Sequence, residues 1–160
     1  MVFWALEAFA ALFIWFTSSR LPARVASHFD ASGTANGFLS QESYLAFMLV
    51  IIVGVPIALY WLPRRLFQLS GTRINVPHAE FWLAPQRREA TIGYLSGRAS
   101  FFAGLLLVFL CYVHWLVVQA NALTPPALSS AWFITGLAVF LLATLAWVMS
   151  MLRHFRNVPR

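Results

Sequence analysis

Few side chains here can do chemistry: five acids, four histidines and one cysteine in 160 residues. Glu7 lies about five positions inside an apolar stretch, and carboxylates at such positions mark ion or proton paths. So near the start of that stretch, it is expected to snorkel to water or to pair with an arginine of a later polar segment. His114 falls within another apolar stretch and His28-x-Asp30 within a polar one; facing each other, the three would build a histidine and carboxylate site. Zinc asks for about three or four ligands in one place, so the expectation is no metal, with His114 buried and hydrogen-bonded and His28 stabilising its loop. His78 and His154 belong to the other side of the chain's topology. No nucleophile elbow, phosphate-binding glycine loop or HExxH occurs, and the acids are dispersed. Neither catalysis nor a cofactor is expected. Cys111 is alone, which excludes an intramolecular disulfide and leaves it as a small apolar residue.

The elements that must carry these groups are membrane helices. Hydrophobic residues make up 61% of the chain and charged ones 10%; mean hydropathy is +0.74, above the range of a soluble globular domain. Stretches near Val2 to Thr17, Tyr44 to Leu62, Ala99 to Gln119 and Ala131 to Leu152 are nearly free of charge, and each is long enough for a hydrocarbon core of about 30 Å. The expected fold is all-α: a polytopic membrane protein forming one membrane domain over 1–160. Its four transmembrane helices, at about 2–17, 44–62, 85–120 and 131–152, form a bundle. An outward loop, 21–43, and an inward loop, 63–98, connect them.

All eleven basic residues are Arg, giving a net charge of +6, and they flank the apolar stretches, which argues for topology and against nucleic acid. Two (Arg20, Arg24) lie in the first loop. Six (Arg64, Arg65, Arg73, Arg87, Arg88, Arg98) lie in the second and three (Arg153, Arg156, Arg160) in the tail. Nine against two places the second loop, the tail and both termini in the cytoplasm. The first stretch has no basic segment before it and no small-residue cleavage site, so it is expected to be retained as a span.

Loop one is rich in turn formers, Leu21-Pro22, Asp30-Ala31-Ser32-Gly33 and Asn36-Gly37, and is expected to be compact and folded. Gly54-Val55-Pro56 predicts a kink in span two. Leu62-Pro63-Arg64-Arg65 is expected to end it, and Gly71 to turn loop two. Phe81 and Trp82 are expected to anchor at the headgroups before Pro85 opens the next helix. Gly93, Gly97, Ser100 and Gly104 align on one helical stripe that would let another helix approach closely, most simply Gly54 or Gly136 of the same chain. Gly136, Ala143 and Ser150 repeat small residues on the last span. No internal repeat supports a transporter of inverted halves.

Two segments carry a family resemblance. Leu21-Pro22, Val25, His28-Phe29-Asp30, Gly33 and Asn36-Gly37 are similar to the LP-x-x-(V/I)-x-x-HF-(N/D)-x-x-G-x-x-(D/N)-G signature of a bacterial membrane domain of unknown function. That domain stands at the N-terminus of SdpI-type immunity proteins. Asn75-Val76-Pro77 with Phe81-Trp82-Leu83-Ala84-Pro85 and Arg87-Arg88 resembles a segment that accompanies it in some members. The resemblance implies a multispan protein of the bacterial inner membrane, protecting against a secreted peptide or taking part in signalling, with His28, Phe29, Asp30, Gly33, Asn36 and Gly37 as the signature positions of its outward loop.

The expected function is therefore non-enzymatic: binding of a peptide, protein or lipid partner through that loop. Two alternatives stand beside it, an accessory subunit docking through the glycine stripe and a transporter of protons or small solutes using Glu7 and His114. Oligomeric state is left open.

Overall fold

The computed structural model describes residues 2–69 and 74–158; Gly71, Arg73 and Arg160 lie outside the described residues. Helix α1 spans Val2–Ser18, strands β1 and β2 span Arg24–Phe29 and Ala35–Ser40, and α2 spans Gln41–Leu49. A π-helical segment, Val50–Gly54, joins α2 to α3, Val55–Gln68. The short α4, Ala79–Trp82, precedes α5, Pro85–Asn121, and α6, Ser130–Arg156.

Three helical stretches are long and apolar enough to cross a membrane: Gln41–Phe67, Pro85–Asn121 and Ser130–Arg156. The fourth apolar helix, Val2–Ser18, has 17 residues, or about 26 Å at 1.5 Å per residue, slightly short of a typical hydrocarbon core. The ends of α1 and α5 and the starts of α2 and α6 meet at the hairpin, so the four helices share two faces, a hairpin face and an opposite face.

An all-α reading is incorrect for loop one. Residues 24–40 form an antiparallel hairpin whose register pairs Val25 with Leu39, Ala26 with Phe38 and His28 with Gly37. The cause is local: Asp30 and Gly33 close the turn, the Gly33 N–H donating to Asp30 O at 2.9 Å, while Gly33 takes a φ of 87° that only glycine adopts without strain. The following helix begins at Gln41, where Ser40 caps it by accepting from Ser43 N–H.

Span two is one helical stretch through both of its prolines. The Gly54-Val55-Pro56 region carries a π-helical turn, which absorbs the proline whose missing N–H cannot return to the carbonyl four residues earlier. The helix then continues through Pro63 to Gln68.

The core lies between α1, α2, the π segment and α5, where Ala10, Ile14, Tyr44, Met48, Ile52 and Leu107 pack into one cluster with Leu21 and Val25 from the hairpin approach. Helix α6 packs along α5 instead. Its Gly136 faces the Tyr112 ring, leaving no room for a Cβ. Further along, Arg98 donates to Trp147 O and Ser150 Oγ, and Trp147 Nε1 donates back to Arg98 O.

Candidate functional site: the hairpin cap

The hairpin is tied down at three places. At its base, Gln41 Nε2 donates to both Ser18 O and Leu21 O at 2.9 Å, tying the end of α1 and the chain that follows it to the start of α2. At its middle, Ala26 N–H donates to Asn121 Oδ1 at 2.8 Å and Asn121 Nδ2 donates to Ala26 O at 2.9 Å. The amide thus pairs with β1 as a neighbouring strand would. At its tip, Leu128 N–H donates to Gly33 O at 2.8 Å, Ser130 Oγ donates to Ala31 O, and Thr34 bridges Ala127. The segment between α5 and α6 is therefore a buttress for the hairpin tip.

Most of the signature positions have roles inside this cap. Asp30 Oδ1 accepts from Ser32 N–H, Ser32 Oγ and Thr34 N–H within 2.6–3.0 Å, an Asx-type turn. Those donors, the Ser32 hydroxyl foremost, hold the Asp30 carboxyl below its ordinary range. His28 Nδ1 donates to Asn36 Oδ1 at 2.5 Å across the two strands. A Cβ on Gly37 would stand 2.8 Å from the His28 Cβ, so the cross-strand position opposite His28 needs glycine. Phe29 packs against the core cluster. Beneath the tip, Phe29, Asp30, Val113, Val117 and Phe133 line an open cleft of about 320 Å³.

His114 does not join His28 and Asp30. It is fully buried, with Nε2 at 2.7 Å from Thr17 Oγ1 and Nδ1 at 2.9 Å from the Tyr44 hydroxyl. The single Thr17 proton goes to Phe13 O at 2.6 Å, so Thr17 Oγ1 accepts from Nε2–H and Nδ1 accepts from Tyr44. The histidine and carboxylate site that the three would build if they faced each other is not assembled, because the imidazole is committed between α1 and α2. Among the described residues no group of three or more His, Cys, Asp or Glu could hold a metal ion.

Glu7 neither snorkels nor pairs with an arginine. It is 4% exposed, and neither carboxylate oxygen has a hydrogen-bond partner among the described residues. Arg64, the first arginine of loop two, donates instead to Tyr60 O and Ser100 Oγ. The stripe is open at its glycines, where nothing lies within 4 Å of a Cβ placed at Gly93, Gly97 or Gly104, nor at Gly54, while its Ser100 accepts from Arg64.

The second motif has a partner that sequence reasoning missed. Trp82 Nε1 donates to Phe155 O at 2.9 Å and Thr91 Oγ1 donates to Trp82 O at 2.7 Å. Phe155 is 1% exposed, enclosed edge-on by Trp82 and Tyr94. Asn75 and Pro77 lie in the lead into α4, Pro85 opens α5, and Arg87 lies 4.0 Å from the centre of the Phe81 ring. Arg88, with Phe67 and Ile92, lines a shallow cleft on the same face.

Residues 5–54 match the family model described as domain of unknown function DUF1648. The match runs from α1 through the hairpin to the end of the π segment, so it contains the whole cap except its buttress from α5 and α6. No curated protein matches the chain, and no solved structure matches it.

Proposed function

We propose that this is a non-enzymatic, SdpI-like protein of the bacterial inner membrane, its four helices bundled across the bilayer and its hairpin outside. Through that hairpin it binds an extended segment of a peptide or protein partner, in an immunity or signalling role. The arginines support this orientation: among the described residues Arg20 and Arg24 lie on the hairpin side, whereas Arg64, Arg65, Arg87, Arg88, Arg98, Arg153 and Arg156 belong to the opposite half.

The observation that carries the reading is an asymmetry of edges. Asn121 takes both backbone groups of Ala26 on one side of the hairpin. Ala26 and Phe38 are therefore a non-hydrogen-bonded pair, and the Phe38 N–H and C=O point away from β1. On that second edge β2 is mostly exposed, with Phe38 and Leu39 open and Arg24 lying 4.5 Å from the Phe38 ring centre. An exposed strand edge is a template for an added strand, with side-chain contacts alternating along it.

A photo-crosslinking side chain at Leu39 tests this in native membranes. A discrete adduct, with the partner's crosslinked residue in an extended segment, is expected; Phe38→Pro, which removes the outward donor together with the Phe38 ring, should abolish it, whereas Phe38→Leu, which keeps the donor, should retain it. No adduct at Leu39 would refute the reading. The open stripe of Gly93, Gly97 and Gly104 favours a second reading, an accessory subunit docked along α5. A crosslinker at Gly97 that captures a stoichiometric membrane protein would select it. Transport by Glu7 and His114 has no such support, since Ala10 and Ile14 stand between their levels on α1 and both are buried in the apolar cluster.

A further inference from the structure

The buried face of α1 reads Phe3, Glu7, Ala10, Ile14 and Ser18, a helical stripe on which Glu7 is the one ionisable member. Its two carboxylate oxygens are shielded and unpartnered among the described residues. The groups that face it from the neighbouring elements are committed elsewhere or carry no charge to offer. From α5, Cys111 is a half-buried neutral thiol packed against the core cluster and His114 is held by Thr17 and Tyr44. From α2 the buried titratable group is that same Tyr44, Glu42 being exposed at the start of the helix, and the π segment Val-Ile-Ile-Val-Gly has none. Towards the opposite face, Phe3 stacks on Tyr60 at 4.5 Å, and Arg64 lies over the Tyr60 ring while donating to Ser100 and to Tyr60 O.

An ionised carboxylate in that place lacks every donor that normally offsets its desolvation. A metal ion would not replace those donors, because it needs several oxygen, nitrogen or sulfur ligands and no group of three or more His, Cys, Asp or Glu exists among the described residues. The one ligand whose binding requires no further coordination is a proton.

We propose that Glu7 is a proton-binding site within the helices, loaded and emptied from the face opposite the hairpin. Its one-sidedness follows from what lies beyond it. Ala10 and Ile14 of α1, Ile52 of the π segment and Leu107 of α5 are each at most 2% exposed and belong to one contiguous apolar cluster that also holds Tyr44, so apolar side chains fill the levels between Glu7 and the His114 hydrogen bonds. On the other side stand the Phe3–Tyr60 stack, with Trp4 against it, and Arg64 over the Tyr60 ring. The site stores a proton and does not conduct one across the chain.

The test uses the purified full chain in liposomes. Infrared spectra are expected to show the carbonyl stretch of a protonated carboxyl at neutral pH, slow to shift in D2O. Glu7→Gln should remove that band. If Glu7→Gln fails to fold, a variant carrying Glu42→Gln, Glu80→Gln and Glu89→Gln, all exposed positions, retains Glu7 as its one glutamate and should keep the band. Liposomes loaded with a pH-sensitive dye should show no proton flux attributable to the protein. Absence of the band at neutral pH, its persistence in Glu7→Gln, its loss in the triple variant, or a flux that Glu7→Gln abolishes would each overturn the proposal.

Discussion

The side-chain amide of Asn121 meets the backbone of Ala26 as a second strand would, accepting from its N–H at 2.8 Å and donating to its C=O at 2.9 Å. The two residues are 95 positions apart, and Ala26 is fully buried. One side chain at the end of α5 thus supplies both partners of a strand edge that lies away from solvent, and it fixes which edge of the hairpin remains open.

Replacing Asn121 by Ala leaves both Ala26 groups buried without partners, at a cost of about 1–3 kcal/mol each. Asn121→Asp keeps the acceptor and loses the donor, so it should fall between the wild type and Asn121→Ala. Thermal unfolding in detergent ranks the three, and hydrogen exchange at the Ala26 amide reports the local effect. An Asn121→Ala protein with unchanged melting and exchange would show that the pairing contributes nothing.

The glycines divide into two groups with opposite expectations. At Gly33 the positive φ and the Leu128 carbonyl exclude a side chain, and at Gly37 the His28 Cβ does; Ala at either should cost about 1–3 kcal/mol. At Gly97, with open space and helical backbone, Ala should stabilise by up to about 1 kcal/mol. If the isolated chain lost stability with Gly97→Ala, a helix contact absent from this arrangement would have to exist.

Asp30 makes the hairpin tip sensitive to acid. Its carboxyl titrates below the ordinary value because Ser32 and Thr34 donate to the ionised form. The contribution is therefore complete above the ordinary aspartate value of about 3.9, and it is lost as pH falls through the lowered folded value. Amide exchange at Ser32 and Thr34 should accelerate only in that acidic window. Asp30→Asn, which still offers an acceptor, should abolish the pH dependence, and a wild-type profile flat through the window would contradict the assignment.

The helical stretches were legible because apolar length alone decides them, and Pro85 marked the start of α5. The hairpin was not, since β1 and β2 are six residues each and their turn formers describe a loop equally well. What makes them strands is distant: Asn121, Leu128 and Ser130 reach them from 95 to 99 positions away. The signature residues fall together in one hairpin, and the geometry assigns Asp30, Gly33 and Gly37 to building the cap. The exposed edge at Phe38 and Leu39 carried no sequence signal beyond its position. Trp82 looked like a lipid anchor because interfacial tryptophans are common; its partner, Phe155, is visible only in three dimensions.

Trp82→Ala should loosen the end of α6. The indole covers Phe155 and donates to its carbonyl, and because Trp82 is only half-buried the loss should be about 2 kcal/mol, below the usual cost for a core tryptophan. Trp82→Phe keeps the ring contact without the donor and should recover about half. Limited proteolysis after Arg153 and Arg156 measures the effect, with faster cleavage expected in the order wild type, Trp82→Phe, Trp82→Ala. Equal rates would mean that α4 does not hold the end of α6.

The His114 network makes the sharpest distinction between its two nitrogens. Tyr44→Phe removes the donor to Nδ1 and should cost about 1–3 kcal/mol, since the ring has no water to turn to. Thr17→Val removes the acceptor for Nε2–H and, with it, the hydroxyl bond to Phe13 O. If the tautomer is set by Thr17 as its bond to Phe13 requires, nitrogen chemical shifts of labelled His114 should show Nε2 protonated in the wild type and still in Tyr44→Phe. In Thr17→Val the proton is free to move to Nδ1 and donate to the Tyr44 oxygen. An Nδ1-protonated ring in the wild type would reverse the direction of both bonds and make Tyr44 the acceptor.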